Sequence, residues 1–129
     1  MNFAQLKAEV EKAPTVPLVD DTRVLISNLL SASELEDSDL FEFADLLFGL
    51  MSKLADVYAY VDDNQSALIV DWIRKHWREN DLEYIDLLVT ILTNLSPAIS
   101  KPFFDEKIKS CCDKEVKEIL LEGIRELNN

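Results

Sequence analysis

Glycine is almost missing from this 129-residue chain: Gly49 and Gly123 are the only two. Sandwiches, barrels and α/β folds spend many glycines on tight turns, so this scarcity points to helices. Histidine occurs once, as His76, and no carboxylate stands near it at triad-like spacing. The paired Glu-x-x-His motifs of a di-iron bundle are also excluded. The two cysteines, Cys111 and Cys112, are adjacent, and neighbouring cysteines rarely meet disulfide geometry. They read as reduced thiols filling small buried spaces in a cytoplasmic protein. No apolar run approaches the roughly 18 residues of a membrane span, and the start, MNFAQLKAEV, lacks the features of a signal peptide. With no catalytic motif and no cofactor motif, the chain reads as a binding protein, not an enzyme.

What is present is negative charge, unevenly placed. The net charge is −12, and nine of those charges fall between Leu18 and Asp63, where eleven acids face only Arg23 and Lys53. The first 17 residues are neutral, and the chain from Asn64 onward has a net charge of −3. Such a field repels nucleic acid and anionic lipid and attracts a basic protein. With 48% apolar residues the composition is globular, and the length suits a single domain spanning 1–129.

The apolar residues repeat with a period near 3.6, and no convincing stretch alternates with period two. Phe3, Leu6, Val10 and Ala13 predict a short helix ended by Pro14 and Pro17. A second helix carries Val24, Leu25, Leu29 and Leu30, with Asp20 or Asp21 as its cap. The third, about Asp39 to Tyr60, is apolar apart from one stripe (Glu42, Asp45, Gly49, Ser52, Lys53, Asp56), which predicts a central position. Asp62, Asp63 or Asn64 caps a fourth, Ser66 to Arg78. Asn80 and Glu83 suggest a capping box for a fifth, also central. Ser96-Pro97 opens a further helix that Pro102 is expected to split, and Asp113 caps the last. The predicted fold is all-α: an irregular bundle or short solenoid of about six to seven helices.

Two constellations suggest contact with a partner. The run from Ser33 to Asp45 holds six acids (Glu34, Glu36, Asp37, Asp39, Glu42, Asp45) and no base. Helix-dipole interactions account for one or two of them, at about 0.3–1 kcal/mol each, and leave the rest unexplained. Their spacing lacks the alternation and glycine of a calcium loop, so no metal is expected. Tyr58 and Tyr60 lead directly into Asp62 and Asp63, and aromatics beside acids have the composition of a hot spot for a basic protein. The basic knot RKHWR, Arg74 to Arg78, interleaves with Trp77. It is expected to pair with carboxylates and not with nucleic acid, given the overall charge.

The stretch DWIRKHWRENDLEYIDLLVTILTNL and the last helix, DKEVKEILLEGIREL, carry a resemblance. In size, acidity and helical layout the chain resembles the small immunity proteins of contact-dependent growth inhibition and other polymorphic toxin systems. The last helix and the segment DDTRVLISNLL also resemble the second helix of a HEAT-type repeat, with an acidic cap, a valine beside a base, and a leucine-rich face. The resemblance implies a tight complex with a toxin's C-terminal domain, often a basic nuclease, whose active-site or RNA-binding face the immunity protein covers. The alternative is an intracellular HEAT-like adaptor for another basic protein.

Overall fold

The chain folds as helices because its apolar residues recur at three- and four-residue intervals and little else competes. The computed structural model describes residues 2–13, 18–32, 35–111 and 113–128. Among the described residues there is no strand; seven α-helices and one 3-10 turn follow one another. They are α1 (Phe3–Glu11), α2 (Val19–Leu30), the turn Asp37–Asp39, α3 (Leu40–Asp56), α4 (Asp63–Lys75), α5 (Leu82–Thr93), α6 (Pro97–Ser110) and α7 (Lys114–Asn128). None is long and apolar enough to cross a membrane. The contacts divide the chain into two compact units, Met1–Gln65 and Ser66–Asn129, with the division in the first turn of α4.

In the first unit α1 packs on α2 and α3, and α2 packs on α3. Asn2 caps α1 by accepting the Gln5 N–H at 2.9 Å, and the Gln5 side chain accepts the Asn2 N–H in return. Phe3 leans on Phe43 with ring centroids 5.8 Å apart. Leu40, Phe43, Ala44, Leu47, Leu50 and Leu54 bury the inner face of α3, while Asp45, Gly49 and Asp56 of the expected stripe are exposed. The inner face of α2 differs from the expected one. Thr22, Ile26 and Leu29 are buried, and Val24 is 57% exposed. The cap differs too: Leu18 precedes the helix and Asp20 and Asp21 lie inside its first turn, where they face the positive end of the dipole. The valine of DDTRVLISNLL is therefore exposed, whereas Val116, its counterpart in the last helix, is fully buried. The two stretches look alike in sequence but present different faces. The expected stops Pro14 and Pro17 lie outside the described residues.

In the second unit α7 packs along α5 and α6, and α5 touches α6. Asp81, not Asn80, caps α5, accepting the Tyr84 N–H at 3.1 Å. Its shorter reach to the third helical N–H settles the choice. Pro102 does not split α6. Near the helix start it costs one intrahelical bond, and buried Phe103 and Phe104 anchor the next turn. The buried Ser100 hydroxyl also donates to the Leu92 carbonyl at 2.7 Å, tying α6 to α5. Asp113 caps α7 as expected, accepting from the Glu115 and Val116 N–H groups at 2.9 and 3.1 Å.

Gly123 explains how closely α7 lies against its neighbours. A Cβ placed there would meet Val89 Cγ1 at 2.7 Å and Phe104 Cε1 at 2.9 Å. Both partners are buried and have little room to swing aside. Gly123→Ala gains about 1 kcal/mol of helix propensity and loses about 1–3 kcal/mol to overpacking. A net destabilisation of up to about 2 kcal/mol is expected, read from the urea midpoint. A midpoint moved upward would show that α7 can lift away at no cost.

Candidate functional site

The turn after α3 breaks two local preferences within three residues. Asp56 places a carboxylate on the last residue of α3, at the negative end of the helix dipole. Tyr58 has φ 57, the left-handed conformation usually given to glycine. The hydrogen bonds require that conformation: the Ala59 N–H donates to the Leu54 carbonyl at 2.9 Å, and the Tyr58 N–H to the Ala55 carbonyl at 3.0 Å. This is the Schellman closure of a helix, made here with tyrosine in the glycine position.

The segment that follows is tied to α2. Arg23 Nη2 donates to the Tyr60 carbonyl at 2.7 Å. Asp62 Oδ1 accepts the Gln65 N–H at 2.7 Å and so caps α4. The buried Gln65 side chain donates through Nε2 to the Arg23 carbonyl at 2.8 Å and to Ser27 Oγ at 2.9 Å. Arg23, one of two bases in the acidic stretch, is thus committed to a carbonyl oxygen and pairs with no carboxylate among the described residues. The anchored loop leaves Tyr58 89% exposed and Tyr60 60% exposed, with Asp56, Asp62 and Asp63 also open to solvent. Aromatic rings held outward on a fixed backbone lose little freedom when a partner covers them.

The acids at the other end of α3 divide by role. Glu36, Asp37 and Asp45 are exposed. Asp39 is half-buried, and its carboxylate accepts the Glu36 N–H at 3.3 Å. Glu42 forms an ion pair with Lys7 of α1, and its hydrogen bond holds the Lys7 ammonium above its ordinary pKa. Glu34 lies outside the described residues. Glu36 and Asp39 form a reciprocal capping box, so Glu36, Asp39, Glu42 and Asp62 all have structural work, and the described candidates do not form one cluster. The two groups flank α3, whose 17 residues span about 25 Å.

The other candidates are absorbed by the second unit. Arg74 pairs with Asp71 at 3.1 Å and Glu106 at 3.2 Å, and lies 5.5 Å from the Phe103 ring centroid. Arg78 donates to the Trp77 carbonyl at 3.0 Å. Trp77 packs edge-on against Phe103 with centroids 5.4 Å apart, and Lys107 sits over it. Trp72 stacks on His76 with ring centroids 4.7 Å apart. Cys111 is buried, but it is not purely apolar filler: its thiol donates to Glu79 Oε1 at 3.1 Å. Burial first, and then that hydrogen bond, push its pKa up, which suppresses the reactive thiolate. Cys112 lies outside the described residues. Among the described residues no three His, Cys, Asp or Glu side chains gather as a metal site would need.

Sequence reasoning missed the spacing of Glu115, Glu118, Glu122 and Glu126 on α7, which intervals of 3, 4 and 4 already place on one face. Comparison of the chain with protein-family models, curated proteins and solved structures returns no match.

Proposed function

We propose that this chain is an immunity protein, which binds a cognate basic toxin domain, most simply a nuclease, and covers its active-site or RNA-binding face. The observation that carries this reading is Tyr58: a tyrosine kept in a glycine conformation, 89% exposed, and set among carboxylates. Left-handed backbone costs a side-chain-bearing residue roughly 1–2 kcal/mol, and strain of this kind collects at functional positions. Charge of one sign suits a groove built for RNA phosphates, because carboxylates can occupy positions meant for phosphate oxygens. A disc of about 800 Å², the share of one partner in a standard interface, is roughly 30 Å across. A single toxin domain of that footprint can engage both ends of α3.

Replacement of Tyr58 separates fold from function. Tyr58→Gly is expected to stabilise the protein by about 1 kcal/mol, seen as a higher melting temperature. The same change should weaken the partner complex by more than about tenfold, as loss of a buried aromatic anchor does. Unaltered affinity in calorimetry would remove Tyr58 from the contact. The partner itself is sought by affinity capture from the producing cells at low and high salt, with identification by mass spectrometry. The reading expects a basic nuclease domain, one-to-one with this chain and silent until released. Capture of a cellular assembly with no toxin would overturn it in favour of an adaptor.

A further inference from the structure

A second surface lies in the second unit, where α5 and α7 border a groove of about 500 Å³. Its floor is apolar, made by Leu82, Val89, Ile119 and Gly123, and Leu82 remains partly open to solvent. Its rim is acidic. Asp86 stands on α5, and Glu115, Glu118, Glu122 and Glu126 stand along α7. Among the described residues no base lines the groove. Arg125, from the flank of α7, hydrogen-bonds to Glu122, and the other four carboxylates have no salt-bridge cation among the described residues. Like charges three and four apart on one helix oppose its formation, so α7 keeps this rail at a cost.

We propose that the groove docks a short amphipathic helix of a partner protein, with an apolar stripe flanked by lysine or arginine at three- and four-residue spacing. Three features select this occupant. The rail from Glu115 to Glu126 is about 16 Å long, three helical turns, and a facing helix repeats its cations with the same period. The apolar floor gives leucine-like side chains a place that a purely ionic ligand would leave wet. The sign of the rim repels nucleic acid and anionic lipid. This surface shares no residue with the loop at Tyr58 and stands whatever that loop binds.

The test uses the full chain, labelled with nitrogen-15, and a synthetic helix of about twelve residues built from leucine, lysine and alanine. One control peptide carries glutamate for lysine, and another carries alanine for leucine. Saturable amide shifts confined to 82–90 and 115–126 are expected, with both control peptides weaker. Glu118→Lys with Glu126→Lys should reduce affinity at least about tenfold while the melting temperature holds. If charge reversal unfolds the protein, E118Q with E126Q removes the charge more gently and must still weaken binding. Shifts centred on 56–63 or scattered over the surface would overturn the proposal. So would equal binding of the glutamate peptide, or of the charge-altered protein.

Discussion

Leu88→Ala is expected to lower the unfolding free energy by about 2–5 kcal/mol, the largest loss from any single truncation considered for this chain. Leu88 is fully buried in the middle of α5, and α5 lies along α7, held close by Gly123. A leucine enclosed by helices that cannot move inward leaves a cavity when it is shortened, and the cavity adds to the lost transfer energy. Against a total stability of about 5–15 kcal/mol, the loss is a third or more of what holds many domains folded. Urea titration monitored by circular dichroism measures it. Leu121→Ala, at an α7 residue that is itself 39% exposed, serves as the control and should change stability far less than Leu88→Ala. A Leu88→Ala loss below about 1 kcal/mol would show that α5 is not enclosed as described.

The second large effect is kinetic. Changing Asp45, Asp56 and Asp63 to lysine takes the first unit from −9 to −3. All three side chains are exposed, and the acids with capping or ion-pair roles (Glu36, Asp39, Glu42 and Asp62) are left alone. Association with the captured basic partner should slow by about 10- to 1000-fold at low salt, because steering acts before contact. The difference should shrink near 1 M salt, where the Debye length falls to about 3 Å. Stopped-flow association measured across that range distinguishes steering from direct contact. An association rate unchanged at low salt would discard the electrostatic part of the mechanism.

Much of the fold was legible because apolar spacing is a strong signal over whole helices. The ends were less legible, since caps depend on backbone geometry that residue type only hints at. Asp81 and Asn80 are adjacent and both able to cap; reach to the Tyr84 N–H decided between them. Pro102 reads as a break, yet it falls where a single lost hydrogen bond is offset by the buried Phe103 and Phe104. Val24 reads as core because valine is apolar; the phase of α2 is set instead by Ile26 and Leu29, which leaves Val24 outside. At the candidate site, composition singled out Tyr58, Tyr60, Asp62 and Asp63. No residue count shows that Tyr58 adopts a left-handed backbone, or that Arg23 and Gln65 anchor the loop from positions far away in sequence. Composition marked the 34–45 run and the 58–63 turn as two candidates without their distance, and α3 sets their described members toward its opposite ends.

The tryptophans and the exposed tyrosines are sorted by unit. Trp72, stacked on His76, and Trp77, packed against Phe103, are the chain's only two tryptophans, and both lie in the second unit. Tyr58 and Tyr60 lie in the first. Red-edge excitation therefore reports on the second unit alone, while solvent-perturbation difference absorbance follows the exposed Tyr58 and Tyr60 of the first unit, because the third tyrosine, Tyr84 of the second unit, is buried. The protein thus carries separate optical labels for its two halves, and docking at one can be distinguished from docking at the other without attaching a dye.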